Sequence, residues 1–108
     1  MKAEPGRSKD SITLVRRREF PLLGPYVAPR TPTEGKLADI FCNALGMDAV
    51  SVTDDFEELG GDSLIAASIC TDIEKGFAII VPIACVMESQ TIEQLAPEID
   101  GLVSKGKV

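Results

Sequence analysis

From residue 33 onward, apolar residues recur at helical spacing. Leu37, Ile40, Phe41, Ala44 and Leu45 fall at i, i+3, i+4, i+7 and i+8, one face of an α-helix. Thr33 is placed to cap that helix, and Gly46 to end it in the left-handed conformation. A second stripe, Ala66, Ile69, Cys70, Ile73 and Phe77, predicts a helix from about Asp62 to Lys75, ended by Gly76. Between the two, residues 47–61 predict a long loop whose Val50, Val52, Phe56 and Leu59 imply that it is packed down. Pro82 to Met87 predicts a short third helix with Pro82 in its first turn. Thr91-Ile92-Glu93-Gln94 reads as a capping box for a last helix with Ile92, Leu95, Ala96, Ile99, Leu102 and Val103 on its apolar face. Pro97 lies inside that pattern, but the period continues past it, so a kink is expected. No segment alternates as a strand does, and nothing repeats. The pattern predicts an all-α fold, a four-helix bundle with a short third helix over residues 31–104, followed by a tail at 105–108.

Residues 1–30 read differently. Pro5, Pro21, Pro25 and Pro29 interrupt them, and Pro32 follows, so a continuous helix is excluded and a largely flexible linker is expected. Arg16-Arg17-Arg18 is a short basic run, read as a solvated linker in preference to a docking element. Yet Ile12, Leu14, Val15, Phe20, Leu22, Leu23, Tyr26 and Val27 are too apolar for an inert tail. Part of this segment is expected to lie against the domain or a neighbour. The 77–90 stretch, with β-branched Ile79, Ile80 and Val81 before Pro82, is expected to be the most mobile part of the bundle.

Charge sharpens the division. In residues 1–30, seven Lys/Arg against three Asp/Glu give +4, and in 31–108, four against fourteen give −10. Such an acidic domain argues against nucleic acid as a partner and favours partners with basic docking patches. The 108 residues suffice for one small domain, whose core, with aromatics at only 5%, must be built from Leu, Ile, Val and Ala. Cys42, Cys70 and Cys85 form no C-x-x-C pair, and as an odd set they suit a reducing compartment and a core-filling role. No apolar run approaches the roughly 20 residues that span a bilayer, and the N-terminus lacks a signal-peptide pattern. A cytoplasmic monomer without a membrane partner is expected, and a chain opening at Met1 and closing soon after the last helix is expected to stand alone.

Candidate chemistry converges on Glu57-Glu58-Leu59-Gly60-Gly61-Asp62-Ser63-Leu64. Ser63 sits at a helix N-terminus, where free N–H groups favour an attached anion. Gly60 and Gly61 leave room for a modifying enzyme, and Glu57, Glu58, Asp62, Asp72 and Glu74 offer it an acidic surface. The competing reading is that Ser63 is only an N-cap, alone or shared with Asp62. Leu64 points nearly opposite the buried stripe, a candidate partner contact. Gly61-Asp62-Ser63-Leu64 spells a string shared with a family of serine esterases, but the chain has no histidine to serve as base, so catalysis by Ser63 is not expected. The acidic cluster Asp54, Asp55, Glu57, Glu58 and Asp62 does not match calcium-loop spacing, and no metal site is expected.

Leu59 to Leu64 resembles the phosphopantetheine attachment motif of carrier proteins. Tyr26 to Glu34 resembles the linker that precedes peptidyl carrier domains of nonribosomal peptide synthetases. Asp54-Asp55-Phe56-Glu57-Glu58-Leu59 is similar to the family's Asp-x-Phe-Phe-Glu-Leu loop, and Thr91 to Ala96 to the start of its last helix. The resemblance, over residues 26–103, implies a bundle of acyl-carrier type and a separate phosphopantetheinyl transferase that places a 4′-phosphopantetheine arm from coenzyme A on Ser63. It implies an adenylation or other acyl-loading enzyme, and a downstream condensing, modifying or releasing enzyme. It further implies that Asp62 helps the transferase position its metal and coenzyme A. Leu64, and the segment of Ile83, Ala84 and Met87, would then meet partners, with core packing an equal reading for Ile83. Pro97 and the segment before Tyr26 depart from the family pattern.

The expected function is thus a non-catalytic carrier of acyl or aminoacyl thioesters, of peptidyl type. The rivals are a fatty-acid or polyketide carrier, which differs in cargo, and an unmodified helical adaptor that kept the fold and lost the arm.

Overall fold

A computed structural model describes residues 15–20 and 23–106. Pro5, Ile12, Leu14, Pro21 and Leu22, on which part of the linker reading rests, lie outside the described residues. Four helices make the body: α1 (Pro32–Leu45), α2 (Ser63–Phe77), α3 (Ile83–Ser89) and α4 (Ile92–Gly106). Among the described residues the only strand-like pairing is a single parallel bridge between Val15 and Met47. The architecture is the four-helix bundle with a short third helix that the apolar periods predict. α1 packs on α2 and α4, and α3 packs on the same two helices.

Leu37 and Phe41 of α1, Ala66, Ile69 and Ile73 of α2, Val86 of α3, and Ile92, Leu95 and Ile99 of α4 form the buried core. Each fully buried Leu or Ile contributes about 1.5–3 kcal/mol relative to exposure. Val50, Val52, Phe56 and Leu59 join that core from the long loop, which is therefore packed down along its length. The Phe56 ring meets Phe41 edge-on, with centroids 6.0 Å apart and planes at 74°.

Three helices have ends that differ from expectation. Thr31, not Thr33, caps α1: its Oγ1 accepts the Glu34 N–H at 3.1 Å, and Pro32 occupies the first turn. Proline fits there because it has no N–H to leave unsatisfied. Thr33 instead donates its hydroxyl to Asp100 on α4. α2 runs past Gly76 to Phe77, and Ala78 takes the left-handed end with φ +57°. The extra residues let half-buried Phe77 reach the core and place its ring 4.8 Å from the Lys36 ammonium, which also donates to the Gly76 carbonyl at 3.0 Å. Holding a non-glycine residue there costs roughly 1–2 kcal/mol. α3 begins one residue later than expected and ends two later, with extended Pro82 (ψ 139°) as its N-cap. At Gly46 the expectation holds, with φ +68°.

α4 continues through Pro97 to Gly106. Pro97 lies on the exposed side, where water can satisfy the carbonyl one turn earlier. Thr91 caps α4 by accepting the Gln94 N–H at 3.1 Å; its own N–H donates to the Ser89 carbonyl at 2.7 Å.

Residues 15–20 and 23–30 lie as a strap across the long loop and the end of α1. Val15 donates to the Gly46 carbonyl at 2.9 Å and accepts from the Asp48 N–H at 3.0 Å. Arg17 grips Asp54 with both arms, Nε to Oδ2 at 2.6 Å and an Nη to Oδ1 at 2.7 Å. The guanidinium also meets the Gly24 carbonyl at 2.8 Å and the Tyr26 ring, whose centroid is 5.6 Å away. Further along, Val27 donates to Ser51 Oγ at 2.8 Å and accepts from the Val52 N–H at 3.1 Å. Phe20, Leu23 and Val27 pack partly buried against the core.

Candidate functional site

Ser63 is the first residue of α2 and is exposed. The cap belongs to Asp62, whose Oδ1 accepts the Ile65 N–H at 2.9 Å. Asp62 is extended (φ −143°, ψ −174°), as an N-cap requires. Ser63 is therefore free of the capping role, and its hydroxyl stands at the positive end of a 15-residue helix. A phosphodiester on that oxygen would meet free N–H groups and favourable partial charge, so the site fits the group that the sequence motif implies.

The approach to Ser63 is built from a tight turn. Asp55 Oδ1 accepts the N–H groups of Glu57 at 2.8 Å and Glu58 at 3.2 Å. The Phe56 carbonyl then accepts from Leu59 at 3.2 Å and from Gly61 at 3.0 Å. Gly60 takes φ +92°, a conformation open to glycine. Gly61 has a different reason: a Cβ there would collide with the Phe56 ring. Its missing side chain admits that ring, an inward use of space beyond the room for an approaching enzyme expected from sequence. The Phe56 N–H donates to the Gln90 carbonyl at 2.7 Å, and Gln90 is held at φ +67°.

Glu57 and Glu58 are exposed beside the turn. Leu64 is 80% exposed, as its place opposite the buried stripe predicts. On α3, Ile83 is 44% and Met87 37% exposed, one helical turn apart on one face; core packing falls to Val86. Ala84 is exposed as well. Ile80, in the connection before α3, is 83% exposed. The sequence reading did not single out Ile80 as a surface residue, though Pro82 and the neighbouring β-branched run mark an irregular segment. Nor did it find the Gly61–Phe56 contact or Gln90. The double glycine was the available signal for the first, and nothing local signals the second.

The other polar clusters have structural partners. Asp54 is taken by Arg17 and by the Ser51 N–H at 2.9 Å, and among the described residues no cluster of His, Cys, Asp or Glu could hold a metal. Burial pushes the thiols of Cys42, Cys70 and Cys85 up from the usual range. Nearby carboxylates add to the shift at all three. Among the described residues no helix is long and apolar enough to cross a membrane.

A family model described as the phosphopantetheine attachment site matches residues 35–99, which contain most of α1, the Ser63 turn, α2, α3 and the first half of α4. The chain belongs to this family, as a carrier domain of the nonribosomal peptide synthetase kind, and its cofactor is covalent 4′-phosphopantetheine. Domains of this kind are generally non-catalytic. It is 41% identical over 81 residues to indigoidine synthase of Streptomyces lavendulae, covering 75% of this chain and 6% of that protein. To tyrocidine synthase 3 of Brevibacillus parabrevis it is 44% identical over 72 residues, 67% of this chain and 1% of that protein. The chain thus spans only a small part of these relatives. Among solved structures, it superposes on a docking-domain complex of the Pax nonribosomal peptide synthetase with a TM-score of 0.75, at 29% identity, covering 81% of this chain and 84% of that one. It also superposes on the peptidyl carrier protein solved with the phosphopantetheine transferase Sfp and coenzyme A, with a TM-score of 0.67, at 29% identity, covering 70% of this chain and 99% of that one.

Proposed function

We propose that Ser63 carries the arm and that the chain presents amino-acid or aryl-acid thioesters to separate enzymes. One observation carries the assignment of the residue: Asp62 takes the helix cap, leaving the Ser63 hydroxyl exposed at the helix N-terminus within the family-matched segment. The bound arm supplies a thiol that holds cargo as a thioester and confines it near partner active sites.

The chain's own residues present and recognise. Asp62 caps the first turn and so leaves the Ser63 hydroxyl exposed. The sequence holds no histidine to serve as a base for Ser63, which supports transfer of the hydroxyl proton to a base on the transferase and a non-catalytic role for the chain. Glu57 and Glu58 offer charge to a basic transferase surface, and Leu64, Ile83 and Met87 offer apolar contact. The partners are a phosphopantetheinyl transferase, an adenylation or acyl-loading enzyme and a downstream condensing, modifying or releasing enzyme, met by a cytoplasmic monomer. The peptidyl kinship of the relatives favours this cargo over fatty acyl chains.

Intact mass after incubation with coenzyme A and a broad-specificity transferase tests the assignment. A gain of one phosphopantetheine unit, absent in Ser63→Ala, is expected. A folded, initially unmodified protein that gains nothing would favour an adaptor that has lost the arm. Loading by an adenylating enzyme, rather than an acyl transferase, then tests the cargo class.

A further inference from the structure

We propose that Phe56 is a positioning residue for Ser63 and that Gln90 sets Phe56, so the end of α3 governs how the serine is presented. The proposal rests on Ser63 being the attachment point.

Three links connect the residues. The Gln90 carbonyl accepts the Phe56 N–H at 2.7 Å. The Phe56 carbonyl accepts the Gly61 N–H at 3.0 Å, and the Phe56 ring fills the volume a Gly61 side chain would need. Gly61 is then joined through Asp62 to Ser63. The links through Gln90 and Phe56 are stiff. Phe56 is buried and braced edge-on by Phe41, so its ring cannot swing aside. Gln90 is held at φ +67°, and the Glu93 N–H, three residues on, donates to the Val52 carbonyl at 2.9 Å. The α3–α4 junction is thus tied to the long loop at two points.

A packed ring with backbone bonds on both sides transmits displacement, because close-packed interiors shift as units. α3 is also the helix that exposes Ile83 and Met87. A partner pressing on that face would therefore act on the Ser63 turn through Gln90 and Phe56 as well as by direct contact. In the reverse direction, a change at Gly61 would be felt at Gln90.

The test is transferase kinetics on the full chain, followed by intact mass, for wild type, Gly61→Ala, Phe56→Leu and the double variant. Gly61→Ala is expected to lower kcat/KM for the carrier roughly ten- to hundred-fold, the scale of a misplaced reacting group, with KM for coenzyme A unchanged. The double variant recovers most of that loss, because leucine vacates the space the new methyl needs. Amide exchange at Phe56, reporting its bond to Gln90, rises in Gly61→Ala and falls back in the double variant. A folded Gly61→Ala protein modified at the wild-type rate overturns the proposal, as does a double variant no faster than the single one. If Gly61→Ala does not fold, Phe56→Leu decides alone: slower modification supports the relay and a wild-type rate overturns it. Failure of the Ser63 assignment is distinguishable, since wild type itself would then gain no mass.

Discussion

The strap side of the bundle and the surface along α2, α3 and their connection handle their side chains in opposite ways. On the strap side, charge is buried and matched: the Asp54 side chain is 2% exposed and that of Arg17 12%, joined at 2.6 Å. On the other, Leu64, Ile80, Ile83 and Met87 stand open to solvent while Val81 and Val86 beside them are buried. Buried polar groups there are also matched, since the Val81 N–H donates to Glu74 Oε2 at 2.9 Å. Residues that stabilise the domain and residues available to partners are thus largely separate, and substitutions should divide the same way.

The largest effect is expected from breaking the strap. Arg17→Ala leaves the Asp54 carboxylate buried without its partner, which costs roughly 3–5 kcal/mol for such a pair. Urea unfolding should show a lower midpoint, and Asp54→Ala should act in the same direction. If either variant unfolds like wild type, the strap adds nothing and the contrast collapses.

A smaller effect concerns acid. The Arg30 N–H and guanidinium hold the Glu34 carboxyl below the usual carboxylate range. A carboxyl lowered on folding stabilises fully above its unfolded pKa, about 4.3, and that stabilisation fades as pH falls through the lower folded value. Thermal midpoints should therefore drop on acidification below about pH 4.3, and Glu34→Gln should flatten that drop.

Slower than usual thiol chemistry should follow from burial. With their pKa values raised, Cys42, Cys70 and Cys85 present little thiolate at neutral pH. Alkylation near pH 7.5 is expected to label them slowly until the protein is unfolded, and rapid labelling of the folded apo protein would contradict it.

The smallest stability changes belong to the open face. Leu64→Ala and Ile80→Ser should shift unfolding free energy by no more than about 0.5 kcal/mol. Leu64→Ala should nevertheless weaken a partner reaction, seen as a higher KM in transferase or loading assays. A large loss of stability would show that these side chains belong to the core.

Much of this was legible in the chain. The stripes Leu37–Phe41, Ile69–Ile73 and Ile92–Ile99 identified the core faces of three helices, because a 3.6-residue period projects those positions onto one side. Gly46 and Thr91 marked their helix ends, and the motif around Ser63 marked the site. Arg17 was not legible: it lies 37 residues from Asp54, inside a basic run that solvent could equally have taken. Ala78 and Gln90 were hidden as well, since nothing local asks either to adopt positive φ.

The sequence by itself determined four helices, an acidic body and one serine at a helix N-terminus, because periodicity, charge and capping act within a few residues of chain. Tertiary structure alone decided that Asp62 and not Ser63 serves as the cap, that Gly61 is reserved for the Phe56 ring, and that the strap closes over the loop. The first was a choice between adjacent side chains that both could cap. The other two depend on which distant groups packing brings within contact distance, and that is set only when the whole core closes.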